Sequence, residues 1–351
     1  FSATVDFDFI NGTPPREVLR IENMYPVDEY SYRSLADDEN FPPIIRTFDE
    51  NVKGVAVKSY ISGHKHAGPE NCCEWIPKQH SLAINGDEIC QWEVWKDCGM
   101  NPIYPQGGTW PFDRAGWCPG TAVDLQVSDL TAFIDPGSEV ELDYRVQPYG
   151  NNGEDTGTFI LSNTLFSYGS INFEKDIEIT DIIKPTNKDK WRRMNPICAD
   201  PVIEIRNRGS ESITAVSVEY GIEGAELLTY EWTGTIGFLE SVFVALPAPD
   251  WTSAAQDSKF IATLILEGDE YLNNNTLRSD FDIPEVLPRD FVFEFRTQTN
   301  YDSTNRAQQS SFSIYDADAE LIFEHSSALE SFTWYEDTIS LPTGCYELVF
   351  K

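Results

Sequence analysis

The sequence predicts an all-β fold: a jelly-roll β-sandwich, then an immunoglobulin-like sandwich, then a partial third β-module. Two observations carry this. Apolar and polar residues alternate in segment after segment, as in Val5–Ile10, Val140–Val146, Val202–Arg206 and Phe291–Arg296. A period of two puts apolar side chains on one face of a half-buried antiparallel strand. The 21 prolines and 22 glycines cut these segments at short intervals, and helical periodicity is nearly absent.

Three blocks follow. Residues 1–172 carry most of the Trp, Cys and His. Residues 173–285 hold evenly spaced strand-like runs: Asp176–Ile183, Val202–Arg206, Ile213–Ile222, Leu227–Gly234, Ser241–Leu246 and Phe260–Glu267. About six strands in such a length fit an immunoglobulin-like sandwich. Pro284 and Pro288 then break any pairing and read as a linker or rigid turn. The remaining residues, 286–351, end on a strand-like Cys345–Phe350, as expected of a module cut short.

The 58 acidic residues outnumber the 25 basic ones, for a formal charge of −33. That sign excludes nucleic acid, whose affinity comes from cations displacing counterions, and repels anionic membrane surfaces. It suits a solvated extracellular surface. No run approaches the ~20 apolar residues of a membrane-spanning helix, so no membrane insertion is expected. The chain starts at Phe1 with neither a basic leader nor an apolar core after it, which reads as a mature or trimmed fragment. No cofactor is expected. Calcium is the one cation that Asp6–Asp8, Asn151–Asp155 and Asp316–Asp318 could hold, although none has the spacing of a calcium loop.

Cysteines stand at 72, 73, 90, 98, 118, 198 and 345. No CxxC or Cys/His spacing points to zinc. The crowding of Cys72, Cys73, Cys90, Cys98 and Cys118 reads as a local disulfide framework, hence an oxidising, secreted or cell-surface location. One of Cys72 and Cys73 is expected to pair with Cys90, with Cys198 a partner for the other. Cys345, near the end, is left for a partner beyond residue 351.

Residues 61–120 form the informative stretch. They include His64-Lys-His66, Cys72-Cys-Glu-Trp75, His80-Ser-Leu-Ala-Ile-Asn-Gly86, Gly108-Thr-Trp110 and Asp113-Arg-Ala-Gly-Trp-Cys-Pro-Gly120. Aromatics beside a carboxylate and a guanidinium suit carbohydrate: indoles stack on sugar faces while charged groups bond hydroxyls. Neither a Ser-His-Asp or Cys-His nucleophile pattern nor a phosphate-cradling glycine loop is visible.

This stretch resembles the second jelly-roll domain of the peptide-N-glycosidase F family, amidases that release N-glycans from asparagine. Asp113–Gly120 carries the resemblance most specifically; the Cys-Glu-Trp core, the His-x-x-Ala-Ile-Asn segment and the Cys98…Cys118 spacing follow in family order, from about Val5 to Tyr168. The resemblance implies two jelly rolls with an active site in their cleft, the principal aspartate lying in the first. It assigns Glu74 and Arg114 to catalysis and Trp117, His66, His64 and Trp75 to substrate binding. The implied partners are a glycan or glycoprotein, further domains of the same precursor, and other surface or secretion-machinery proteins. Cys98–Cys118 is an expected disulfide.

The sequence also departs from the pattern. A first jelly roll is not recognised in it, His64 stands where the family has a cleft tryptophan, and Ile76 replaces a cysteine that closes a short disulfide. The fragment alone is therefore expected to be inactive, and a non-catalytic adhesin or scaffold is the alternative. His64-Lys-His66 is also similar to the copper-ligating pair of the peptide-amidating monooxygenases. A strand there would put both imidazoles on one face. None of Met24, Met100 and Met194 falls where that family's third ligand sits, which disfavours copper. The second and third blocks resemble adhesion-like modules of exported Bacteroidota proteins, through Tyr230–Gly234, Gly268–Asn275 and Pro342–Tyr346.

Overall fold

The structure, a computed structural model, describes residues 12–67, 72–104, 106–148, 157–283, 285–297, 306–325 and 329–350. The expected strand at Val5–Ile10 and the turns at Asp6–Asp8 and Asn151–Asp155 lie outside these residues. The regular structure of the described residues is almost entirely strand, with short 3₁₀ turns and one α-helix of five residues, Tyr32–Ala36. Ser31 caps it by accepting the Ser34 amide at 3.1 Å.

The first block contains β1 (Arg16–Asn23), β2 (Asp28–Ser31), β3 (Ile44–Thr47), β4 (Gly54–His64), β5 (His66–Ala67), β6 (Cys72–Cys73), β7 (Lys78–Ile84), β8 (Asp87–Val94), β9 (Leu125–Asp129), β10 (Glu139–Val146) and β11 (Thr158–Ile171). One sheet runs β1-β11-β4-β9, with β2 also on β11; the other runs β3-β10-β7-β8. The long antiparallel pair β4/β11 keeps register from Thr158↔His64 to Tyr168↔Gly54. Val55, Val57 and Ile61 of β4 pack with Phe159 and Leu161 of β11 and with Leu82, Leu142 and Tyr144 of the facing sheet. The β7/β8 turn is Asn85-Gly86, both at positive φ (51° and 88°), a pair whose twist matches a two-residue hairpin.

The second block contains β12 (Ile177–Lys184), β13 (Val202–Asn207), β14 (Ile213–Ile222), β15 (Leu228–Ile236), β16 (Ser241–Ala245), β17 (Lys259–Ile265) and β18 (Thr276–Asp280). Two sheets, β12-β13-β16 and β15-β14-β17-β18, enclose a core of Ile177, Ile182, Ile203, Ile205, Val218 and Phe260. The seventh strand, β18, exceeds the six expected. Its Thr-Leu-Arg-Ser-Asp is too polar to signal burial, and it forms by pairing with β17 at the sheet edge. A 3₁₀ turn at Asp189–Met194 docks on the first block, where Arg193 donates its amide to Pro102 O at 2.8 Å and Nη1 to Asn101 O at 3.1 Å.

The third block, β19 (Asp290–Arg296), β20 (Phe312–Asp316), β21 (Leu321–His325), β22 (Trp334–Ser340) and β23 (Tyr346–Phe350), pairs as β19-β22 and β21-β20-β23 around Phe312, Ile314 and Ile339. Asp316 Oδ1 accepts the amides of Asp318 and Glu320 at 3.0 and 2.9 Å, which makes Asp316–Asp318 a self-capped turn.

The cysteines correct the expected pairing. Cys72 bonds its neighbour Cys73, Cys98 bonds Cys118, and Cys198 bonds Cys345. Cys90, expected to bond Cys72 or Cys73, is free, and Cys345 needs no partner beyond residue 351. In register, Cys90 faces Leu82 on β7 and stays half-buried there, away from the β5/β6 hairpin that holds Cys72 and Cys73.

Candidate functional site

Three backbone segments converge where β4 ends. Glu74 donates its amide to Lys65 O at 2.8 Å, Ala115 its amide to Glu74 O at 3.0 Å, and Gly63 its amide to Ala115 O at 2.9 Å. The turn Arg114–Trp117 is thereby tied to both β4 and the Cys72–Cys73 hairpin. Gly116 makes the approach possible: it sits at φ +78°, and a Cβ there would lie 2.2 Å from Ile61 O. Gly157 does the same behind the disulfide, where a Cβ would lie 2.1 Å from Cys72 O.

Arg114 is the hub. Its side chain is 3% exposed, and Nε donates to Glu74 Oε1 at 3.2 Å. Nη1 donates to Phe112 O at 3.0 Å, and Nη2 to Thr109 O and Oγ1 at 2.9 and 2.8 Å. The guanidinium carbon lies 4.5 Å from the Trp75 ring centre and 4.8 Å from that of Trp117, close enough for cation–π attraction. Nη1 also points at Cys98 Sγ at 4.0 Å, so all five donors are committed inside the protein. Asp113, its sequence neighbour, instead accepts the Cys98 amide at 3.0 Å, beside the Cys98–Cys118 disulfide.

Trp117 is half-buried, its Nε1 donating to Gly63 O at 2.9 Å and its ring stacked 5.3 Å from His64. Burial holds the His64 imidazole below its ordinary pKa, against the pull of Glu74 and Glu29, and Ser62 Oγ shares a 2.9 Å hydrogen bond with its Nε2. His66 is exposed on β5, in register with Cys73. The reading of both histidines on one strand face is overturned. Lys65 between them sits at φ +63°, so β4 ends at His64 and β5 begins afresh at His66. Among the described residues no three His, Cys, Asp or Glu side chains converge as a metal site.

Glu74, Trp75, Arg114, Trp117 and His64 are therefore one cluster, while His66 lies on the neighbouring hairpin. Sequence reasoning passed over Thr109, which holds the guanidinium, and Phe112, which is 51% exposed and stands edge-on to Trp75 at 6.3 Å. The signal for Phe112 was its place two residues before Arg114. Chemically, the cluster offers a partly exposed carboxylate, clamped from beneath by a buried cation, with half-exposed aromatic rings at its rim.

Residues 31–166 match the family model described as peptide-N-glycosidase F, C terminal. Peptide-N(4)-(N-acetyl-beta-D-glucosaminyl)asparagine amidase F of Elizabethkingia miricola is 32% identical over 170 residues, 44% of this chain and 47% of the relative. A solved structure of PNGase F, titled a glycosylasparaginase from Flavobacterium meningosepticum, shows 27% identity over 46% of this chain and 55% of its own, with a TM-score of 0.37. A second, titled peptide-N(4)-(N-acetyl-beta-D-glucosaminyl) asparagine amidase, shows 27% identity over 46% and 56%, with a TM-score of 0.38. The chain thus spans about half the length of the curated relative it matches. Residues 31–166 therefore resemble the C-terminal domain of peptide-N-glycosidase F.

Proposed function

We propose that the first block docks the N-glycan–asparagine junction of a glycoprotein against Glu74, Trp75 and Trp117, as one half of an amide-hydrolysing site. The resemblance assigns the water-activating aspartate to another jelly roll, so Glu74 here would bind and orient rather than complete the chemistry. Amide hydrolysis needs a group that activates water and another that stabilises the oxyanion, both within reach of one carbonyl. The observation that carries the proposal is Arg114. A buried guanidinium bonded to Glu74, Phe112 and Thr109 fixes the carboxylate beside two indoles. With its donors committed internally, Arg114 is a positioning residue. Pre-set geometry of this kind is what sugar and transition-state recognition use.

A scaffold or adhesin role is the second reading, favoured by the same internal bonding of Arg114, which would also serve architecture alone. A secreted or cell-surface location fits three disulfides. Incubating the 351-residue chain with a denatured N-glycoprotein, and reading released glycan by mass spectrometry, tests the half-site. No release is expected. Release that disappears in Glu74→Gln would show a complete site in this chain and overturn the proposal.

A further inference from the structure

A cleft of about 570 Å3 opens where the first and second blocks meet, between the loop closed by Cys98–Cys118 and the 3₁₀ turn Asp189–Met194. That size lies within the ~300–1,000 Å3 of ligand pockets, which occur preferentially at domain junctions. Ile103, Tyr104 and Gln106 line one side, and Asp189, Lys190 and Arg192 the other. Arg193 ties the two walls together, its Nη1 donating to the loop carbonyls of Gly99 and Asn101 at 2.6 and 3.1 Å. Tyr104 is 52% exposed, and the Arg192 guanidinium carbon stands 5.1 Å from its ring centre. Both side chains are thus open to a ligand.

The turn also departs from the charge of the chain. Lys184, Lys188, Lys190, Arg192 and Arg193 stand within ten positions beside one acidic residue, Asp189: five charges against one, a net +4 in a chain of −33. The fold takes up part of this. Lys188 and Lys190 share one carboxylate, Asp181, which also accepts the Trp191 indole N–H. Two ammonium groups on one carboxylate leave one positive charge over. Arg192 donates Nη1 to Asp189 Oδ1 at 3.2 Å, and Asp189 is 89% exposed, so that pair is weak. The other four guanidinium donors of Arg192 have no partner among the described residues.

We propose that this cleft binds an acidic sugar, a pyranose carrying a carboxylate, at a site separate from the Glu74 cluster. The polar inventory sets the class. Guanidinium and ammonium groups only donate, Asp189 only accepts, and Gln106 does both, so the occupant needs an anionic acceptor together with hydroxyl donors. A neutral sugar leaves the excess positive charge unanswered, and a simple carboxylate brings no donor for Asp189. Tyr104 and Ile103 offer apolar surface to the C–H face of a ring. Glu74, Trp75, Arg114 and Trp117 are all absent from the walls of the cleft.

Ligand-observed NMR on the full chain tests this. Methyl β-glucuronide and the methyl glycoside of N-acetylneuraminic acid are the acidic probes, methyl β-glucopyranoside the neutral one, and a blocked diglutamate the acidic peptide. At least one acidic sugar is expected to saturate with a Kd of ~1 mM, the strength a ligand of this size reaches. The neutral sugar and the peptide should each bind at least about tenfold more weakly. Raising the salt from ~20 to ~300 mM should weaken the acidic sugar about threefold, because the charges are exposed. Arg192→Gln and Lys190→Gln, both at exposed side chains, should each weaken it about three- to tenfold at an unchanged melting temperature. Glu74→Gln should change it less than about twofold, which separates this cleft from the half-site proposed above. The absence of binding by both acidic sugars up to ~100 mM would overturn the proposal. So would a neutral sugar or a diglutamate that binds as tightly, binding unmoved by both Arg192→Gln and Lys190→Gln, or binding lost in Glu74→Gln.

Discussion

Replacing Arg114 should unfold the first block before it alters anything else. Arg114→Met keeps the apolar stem but removes four N–H···O bonds of 2.8–3.2 Å and leaves the Glu74 carboxylate and the Phe112 carbonyl without their donor, while the Thr109 carbonyl keeps the Phe112 amide at 3.1 Å. Removing one partner of a buried pair costs about 3–5 kcal/mol, because the other charge stays desolvated. Glu74 is 20% exposed and recovers some hydration, which favours the lower part of that range. For a block of this size each kcal/mol moves the melting temperature by ~2–4 °C, so a drop of about 6–15 °C is expected. Arg114→Lys keeps the charge but offers three donors from a single point to four acceptors on three residues, and should recover less than about half of the loss. Near-UV circular dichroism of the Trp-rich stretch against temperature reads both. Arg114→Met melting within about 2 °C of the parent, or Arg114→Lys melting like the parent, would refute the hub described here.

Other outcomes follow from the same geometry. His80 is wholly buried with its pKa pushed down by burial to about 3, and its Nδ1 shares a 2.5 Å hydrogen bond with Tyr144. The unfolded chain binds the proton first, so stability is lost as pH falls from ~6.5 toward ~3; by pH 5 the loss is about 2 kcal/mol, and denaturant titrations at pH 7 and 5 should show it shrink in His80→Gln. Gly116→Ala should destabilise by about 2–5 kcal/mol, from positive φ and the collision with Ile61 O, read as a fall in urea midpoint. Reducing Cys98–Cys118, which closes a separation of 20 residues, should cost about 3 kcal/mol in the chain-entropy model, measurable in Cys98→Ser/Cys118→Ser. Limited proteolysis should cut first near 285–288, where Val286 is 94% exposed, and only later within 72–118.

What the sequence made legible were features with a local period or an ordered motif. Val140–Val146 and Val202–Arg206 form strands at their expected places because alternation and burial agree there. Glu74, Trp75, Arg114 and Trp117 come together because the motif carries the loop that folds them. Features set by long-range contact were not legible. Arg114 has an aspartate beside it in sequence, yet takes its carboxylate from Glu74, forty positions away, because the Lys96–Arg114 bridge and the Ala115–Glu74 hydrogen bond aim it there. Lys65 has no turn chemistry of its own, so the break between His64 and His66 follows from the β5/β6 pairing. The Cys198–Cys345 bond spans 147 positions, beyond any spacing rule.

Isothermal titration of an N-glycopeptide, against the same peptide without its glycan, tests the glycan-directed reading most directly. Only the glycosylated form is expected to bind, and Glu74→Gln, titrated well below its own lowered melting temperature, should weaken it about tenfold. Equal affinity for both peptides, or glycopeptide binding unchanged in Glu74→Gln, would contradict it.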